Sequence, residues 1–267
     1  MTAFAQKGWA RFGPDRDLHA WVACALGPAR AALRDPDLAQ WHVCSGTWFV
    51  GVDALPNGPD GAVAGSGPLR GAAIDAIRAE TGPFPPLHPA QLSVTWPGYP
   101  QPREGESEAA FRYRLNRDAA HVDGVRGEGA EKRRHVREPH AFILGIALTD
   151  GTADNAPLVV WENSHHIMVR AFQTAFADVP VAQRGDLDIT EIYQSARREV
   201  FDTCPRVVLP LRSGEAVLIH RLALHGVAPW TGDAPKSEDG RMIAYFRPEL
   251  ADGLARWANP ANEMRSD

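Results

Sequence analysis

The spacing of hydrophobic positions divides the chain into a helix-rich first third and a strand-rich remainder. Within residues 7–40, Leu18, Trp21, Val22 and Ala25 recur at helical spacing, with Asp15 or Asp17 placed to cap and Gly27-Pro28 placed to terminate. A second short helix over 29–33 stops at Asp35-Pro36. Residues 41–44 and 47–52 are rich in β-branched and aromatic side chains and predict strands, followed by a turn-rich loop over 55–61. Ala72, Ile74 and Ile77 return to helical spacing within 69–80, closed by Thr81-Gly82-Pro83. Residues 1–90 thus predict a mixed α/β layer packed on a main sheet.

From Gln91 the period shortens. Residues 91–96 alternate and end at Pro97-Gly98, and 111–115 alternate aromatic or apolar residues with basic ones. Residues 124–139 are hydrophilic, with Lys132, Arg133, Arg134 and Arg137; the run reads as a solvated loop, or functionally as a lid that draws in an anion. Buried strands are predicted over 140–148 and 158–161, and helices over 169–177 and 189–201. Strands over 207–211 and 216–219 flank a turn at Arg212-Ser213-Gly214-Glu215. His225 ends a strand, residues 225–230 break the chain, a polar loop runs to Asp239-Gly240, and 241–247 form the last strand. Trp257 implies that the tail packs somewhere. Many short strands with turns between them predict a mainly β protein with packed helices, an antiparallel barrel or sandwich. With no repeat or evident linker, the expectation is one domain over 1–267: an N-terminal layer (1–90), a β core (91–248) and a C-terminal tail (249–267).

Composition narrows the classes. A formal charge of −5 and pI near 6.1 argue against a nucleic-acid binder, and no apolar run reaches the ~18 residues of a membrane span. Glycine (24) and proline (22) are spread along the chain, which favours turns over long helices. Cys24, Cys44 and Cys204 are odd in number, widely spaced and without a CxxC, as expected of reduced thiols; with a start that lacks a signal-peptide layout, they predict a cytoplasmic protein.

The candidate chemistry centres on His121-Val122-Asp123. On a strand, side chains at i and i+2 leave one face, so imidazole and carboxylate would point together. Two histidines and a carboxylate on one face of an octahedron make an Fe(II) site with open positions for substrate and dioxygen. The third ligand could come from His225, His220, the pair His165/His166, or His135 or His140; His225 fits best, because Gly226 lets the backbone turn closely past a metal. Arg241 begins the next strand. As its antiparallel neighbour it would bring to the pocket a planar fork that binds a carboxylate bidentately. Arg112 and Arg114 are the alternative anchors.

This arrangement resembles the Fe(II)/2-oxoglutarate-dependent oxygenases, specifically their phytanoyl-CoA dioxygenase-like branch. The resemblance is carried by Ala120-His121-Val122-Asp123-Gly124, by 157–165 (Pro-Leu-Val-Val-Trp-Glu-Asn-Ser-His) and by 214–226, which ends in His225-Gly226, and it spans roughly residues 90–248. Two departures, Glu162-Asn163 for the usual Pro-Gly and Glu215 for the usual Asp, bear on the subfamily and leave the ligands untouched. The resemblance implies a double-stranded β-helix, with Fe(II) held by His121, Asp123 and His225 and the distal carboxylate of 2-oxoglutarate held by Arg241. It further implies consumption of O2, release of succinate and CO2, and oxidation, usually hydroxylation, of a small organic substrate. Asp123 stands where halogenating relatives carry Ala or Gly, which implies oxygen transfer. The competing readings are a zinc hydrolase on the same residues and a non-catalytic cupin-like binding protein. Oligomeric state is not legible in the sequence.

Overall fold

A computed structural model describes residues 2–233 and 238–259; positions 234–237 of the expected polar loop and 260–267 of the expected tail lie outside the described residues. The first ninety residues contain α1 (Ala3–Lys7), β1 (Trp9–Phe12), α2 (Arg16–Ala32), β2 (His42–Val43), β3 (Trp48–Leu55) and α3 (Ala72–Thr81). Then follow β4 (Ala90–Thr95), α4 (Glu108–Asn116), β5 (Val125–Glu128), β6 (Arg133–Val136), β7 (Phe142–Ala147) and β8 (Leu158–Trp161). The chain closes with α5 (Ser164–Phe176), α6 (Thr190–Thr203), β9 (Arg206–Leu209), β10 (Ala216–His220), β11 (His225–Val227) and β12 (Arg241–Phe246).

Two antiparallel sheets face each other. The larger runs β1-β10-β7-β12-β4-β3-β2 and the smaller β11-β8-β9, which a bridge between His121 and His225 extends by one short segment. Taken in sequence, β4 joins the large sheet, the His121 segment the small one, β7 the large, β8 and β9 the small, β10 the large, β11 the small and β12 the large. This winding between two sheets is the double-stranded β-helix. Between the sheets lie Ile143, Leu158, Val160, Leu209, Val217, Ile219 and Ile243. Their strand neighbours Leu144, Ile146, Leu218, Met242, Ala244 and Phe246 face outward, into a second core under α2 and α3. Val159 and Trp161 face outward from the small sheet, beneath α5 and α6. Trp257, fully buried there against Phe172, ties residues near the C-terminus to the body, as its presence in the tail predicts.

Four local expectations are corrected. Asp15 does cap α2 by accepting from the Leu18 N–H, but the helix does not end at Gly27-Pro28; it runs to Ala32. Proline inside a helix costs about 3 kcal/mol, and burial of Ala25, Ala29 and Ala32 with Leu18, Trp21 and Val22 outweighs it. Residues 111–115 lie in a helix, α4, started by the Ser107 side chain accepting from Ala110 N–H. Residues 125–136 form the β5–β6 hairpin, and three of the run's basic groups are already paired: Arg126 with Glu138, Arg133 with Glu131 and Asp188, Arg137 with Glu128 and Asp186. Pairing of these three arginines reduces the charge the hairpin could offer an anion. Finally, His225 begins a strand, β11, and does not end one.

Candidate metal centre

The loop that carries His121 is fixed from behind before its side chains meet anything. Asp118, buried, accepts two hydrogen bonds from Arg206, at 2.7 and 2.9 Å. The Tyr113 hydroxyl donates to Ala120 O, and Val122 N–H donates to the Tyr193 hydroxyl. His121 and His225 exchange both backbone hydrogen bonds, and Val227 N–H donates to Asp118 O. The two chains approach so closely that a Cβ on Gly226 would sit 2.2 Å from the Asp118 carbonyl oxygen. Gly124 is required differently: its φ is +79°, and a Cβ there would meet Glu138 O at 1.9 Å. The expected regular strand at 121–123 is thus a single bridge, because the left-handed residues Asp118 and Ala119 bend the chain immediately before it.

The ligand atoms of His121, Asp123 and His225 all lie within 4.8 Å of one another. Asp123 Oδ1 stands 3.0 Å from His121 Nε2 and 3.7 Å from His225 Nε2. In each histidine Nδ1 is 3.0 Å from the carbonyl oxygen two residues earlier, Ala119 or Ala223, so Nδ1–H donates there and Nε2 faces the cluster. Hydrogen bonds of this kind fix ring orientation in metal sites. Burial pushes the His225 imidazole down to about 4, and the Asp123 charge only partly restores it, so this ring is neutral near pH 7. Burial opposes ionisation of Asp123 too, but the His121 hydrogen bond and nearby positive charge, Arg247 included, outweigh it and hold the carboxyl well below its usual range. For His121, burial acts downward and the Asp123 hydrogen bond and charge act more strongly upward. With 48% of its side chain exposed, solvent screens this pair; a cation binding there would displace a proton. A neutral imidazole, an ionised carboxylate and a second imidazole suit a divalent transition metal.

Arg241 reaches this interior by a route the sequence did not suggest. It is not a strand neighbour of His225: β11 belongs to the small sheet and β12 to the large one, so the two residues approach from opposite walls. Arg241 shares the inward face of β12 with Ile243 and Tyr245, while Met242, Ala244 and Phe246 face outward. It is 3% exposed, and neither terminal guanidinium nitrogen has a hydrogen-bond partner. Burial raises the Tyr245 phenol; the Arg241 charge, and the guanidinium's approach to the hydroxyl outside hydrogen-bond geometry, oppose that shift and Asp123 adds to it, so Tyr245 lies beside Arg241 and within the field of Asp123.

The other candidates do not join this cluster; His165, His166 and His220 gather instead with one another, the His165 ring centroid lying 3.9 Å from that of His166 and 4.9 Å from that of His220. His220 is buried, with Nδ1 accepting from Leu222 N–H, and His165 faces Ala5 O at the foot of α5. His135 lies on the β5–β6 hairpin, and His140 is buried beside Glu138 at 3.5 Å. Arg112 is exposed, and Arg114 is buried against Glu106. Arg247 escaped the sequence reading: its Nη1 lies 3.7 Å from Asp123 Oδ2, and its Nη2 donates to Gln91 at 2.7 Å. The signal available was its six-residue spacing from Arg241, which puts both on one face of a strand.

The sequence model of the phytanoyl-CoA dioxygenase (PhyH) family matches residues 96–237, more than half of the chain, and the chain belongs to that family. None of the curated proteins matches it. Among solved structures, the non-heme alpha-ketoglutarate-dependent carbocyclase SnoK from nogalamycin biosynthesis is 15% identical, covering 99% of this chain and 91% of its own, with a TM-score of 0.47. AviO1 from Streptomyces viridochromogenes Tue57 is 18% identical over 93% of this chain and 92% of its own, with a TM-score of 0.45. EctD from S. alaskensis, solved with 2-oxoglutarate and 5-hydroxyectoine, is 16% identical over 92% of this chain and 74% of its own, with a TM-score of 0.45. Similarity of this degree assigns neither substrate nor reaction. Family membership and the His/Asp/His cluster together support a dioxygenase-type activity.

Proposed function

We propose that this chain is a non-haem Fe(II)- and 2-oxoglutarate-dependent dioxygenase that hydroxylates a small organic substrate and releases succinate and CO2. His121, Asp123 and His225 hold the iron, and Arg241 holds the distal carboxylate of 2-oxoglutarate. One observation carries the reading: a buried guanidinium whose two terminal nitrogens lack partners, in the same interior as a His/Asp/His cluster. A buried charge without a partner is costly, and a dicarboxylate cosubstrate relieves that cost. A hydrolytic zinc site has no need of such a group. When bound, iron and 2-oxoglutarate supply the activation of O2 and the oxidising power. The chain's own residues bind and orient: the carbonyls of Ala119 and Ala223 aim the imidazoles, Arg247 helps to keep Asp123 ionised, and Arg241 sets the direction in which the cosubstrate enters.

The test is anaerobic purification, addition of Fe(II) and 2-oxoglutarate, admission of O2 and measurement of succinate. Slow, oxygen-dependent succinate formation is expected even without substrate, and Asp123→Ala abolishes it. Absence of both metal and 2-oxoglutarate binding under argon, with Asp123→Ala indistinguishable from the parent, sinks the reading. Oxygen-independent turnover with zinc would establish the hydrolase instead.

A further inference from the structure

The loop that carries His121 and Asp123 faces two ways. Ala120 and Val122 enter the core beneath α5 and α6, while His121 and Asp123, alternating with them, turn toward the metal centre. A shift of this backbone on the core side therefore moves both ligands. Two hydroxyls hold it there: Tyr113 of α4 donates to Ala120 O at 2.8 Å, and Tyr193 of α6 accepts from Val122 N–H at 3.0 Å. Burial raises the Tyr113 phenol, with Arg197 the foremost group opposing that shift, so the hydroxyl keeps the proton it donates.

The two tyrosines are themselves held by a stack of rings and guanidinium groups between α4 and α6. On α6, Tyr193, Arg197 and Phe201 follow at four-residue intervals; Tyr113 of α4 and Arg117 at its C-cap do the same, so each set lines one side of its helix. The two rows interlock. The Arg197 guanidinium carbon lies 4.6 Å from the Tyr113 ring centroid and 5.2 Å from that of Tyr193. Arg117 lies over Phe201 at 4.6 Å, and Phe201 meets Tyr113 with ring centroids 6.3 Å apart. A guanidinium this close to an aromatic face is attracted by the ring quadrupole. Arg197 joins both of the tyrosines that hold the loop. Its Nε is buried without a hydrogen-bond partner, so ring faces, not acceptors, hold that part of the group.

We propose that Arg197 is a positioning residue for the metal centre: its guanidinium, held between the rings of Tyr113 and Tyr193, fixes the two hydroxyls that pin the 120–122 backbone, and thereby sets where the His121 and Asp123 ligand atoms stand. This rests on the metal reading given above. Arg197 acts only through the tyrosines and touches neither metal nor cosubstrate. Without the cation the two phenols lose their common partner, and the loop gains positions in which the two ligand atoms diverge.

Arg197→Met keeps the stem and removes the charge, and Arg197→Lys keeps a cation over both rings. Titration of Co(II) into the full-length protein under argon reads affinity, and the visible absorption of the bound ion reads the arrangement of its ligands. Affinity should fall about tenfold in Arg197→Met, the lower end of the loss when a group that orients a ligand is removed, and the absorption bands should change. Arg197→Lys should recover most of both. In Tyr193→Phe the ring stays and Val122 N–H loses its acceptor, so Co(II) binding weakens there too. Adding Arg197→Met to Tyr193→Phe should then cost much less than it does in the parent, because groups that act through one another are not additive. A merely structural residue would lower the melting temperature of the metal-free protein and leave the absorption bands in place. Affinity within about twofold of the parent in Arg197→Met, with the parent's bands, therefore overturns the proposal whatever the melting temperature does. Equal losses in the Met and Lys variants, or losses that multiply in full in the double variant, overturn it as well. Should Arg197→Met not fold, Arg197→Gln is judged by the same criteria. A parent protein that binds no Co(II), or binds it equally well after Asp123→Ala, fails the metal reading, and this proposal with it.

Discussion

At the scale of single residues, Arg241 carries most of the functional argument because of what it lacks. A lysine there would keep the charge but present one rotatable ammonium in place of a planar fork. Arg241→Lys should therefore weaken 2-oxoglutarate binding about ten- to a hundredfold, the equivalent of one charge-assisted hydrogen bond at 1.5–3 kcal/mol, and leave iron affinity close to the parent's. Isothermal titration under argon checks both; unchanged cosubstrate affinity would move the anchor, with buried Arg114 the next candidate. Arg247 acts differently, since it contacts the Asp123 oxygen that faces away from the histidines and so bears on how that carboxylate is held.

At the scale of elements, the centre depends on how tightly the 117–124 loop is drawn against β11. Gly226 has no room for a side chain beside Asp118 O. Gly226→Ala forces the bridge between His121 and His225 apart, at a cost of about 1–3 kcal/mol as for other overpacked sites. The expected outcome is a lower melting temperature together with loss of metal binding, read by denaturation and by Fe(II) titration. Full metal affinity in this variant would show that the bridge does not set the ligand positions. Tyr193 reaches the same loop from α6, accepting from Val122 N–H, so the helical layer helps to hold the site as well as covering the small sheet.

At the scale of the whole molecule, the α1–α5–β10 junction makes stability depend on pH away from the metal centre. His165 is pushed down to about 4 by burial and by the neighbouring His166. His220 is likewise well below its ordinary value through burial, then through Arg221 and the other two histidines. In the unfolded chain these rings titrate near 6.5. Between about 6.5 and 4 the unfolded state therefore binds protons that the folded state refuses, and stability falls as pH falls through that window. His165 alone accounts for about 3 kcal/mol at most. Thermal denaturation from pH 7.5 to 4.5 should show this decline, and His165→Gln, which keeps a donor for Ala5 O, should flatten it. A variant as acid-sensitive as the parent would place the effect elsewhere. Among the described residues no helix is long and apolar enough to cross a membrane.

Much of this architecture follows from the sequence because it is local. Alternation marks β4, short apolar or β-branched runs mark β3, β7, β8, β10 and β12, Asp15 starts α2, and the His-x-Asp pair, His225 and Arg241 stand out by residue type. Local rules failed where packing overrides them, as at Pro28 inside α2, or where two elements of equal pattern compete, as in 111–115. The alternation of β4 is the clearest limit. It shows that Gln91, Ser93 and Thr95 share one face and Leu92 and Val94 the other, but a polar face ordinarily reads as the solvated one. Only the closing of two sheets over that face makes it an interior and brings His225 and Arg241, the strand partner of Thr95, towards each other from opposite walls. Sequence determined which groups are available and which face each shares; the tertiary structure decided which faces are inside, because burial depends on contacts between residues far apart in the chain.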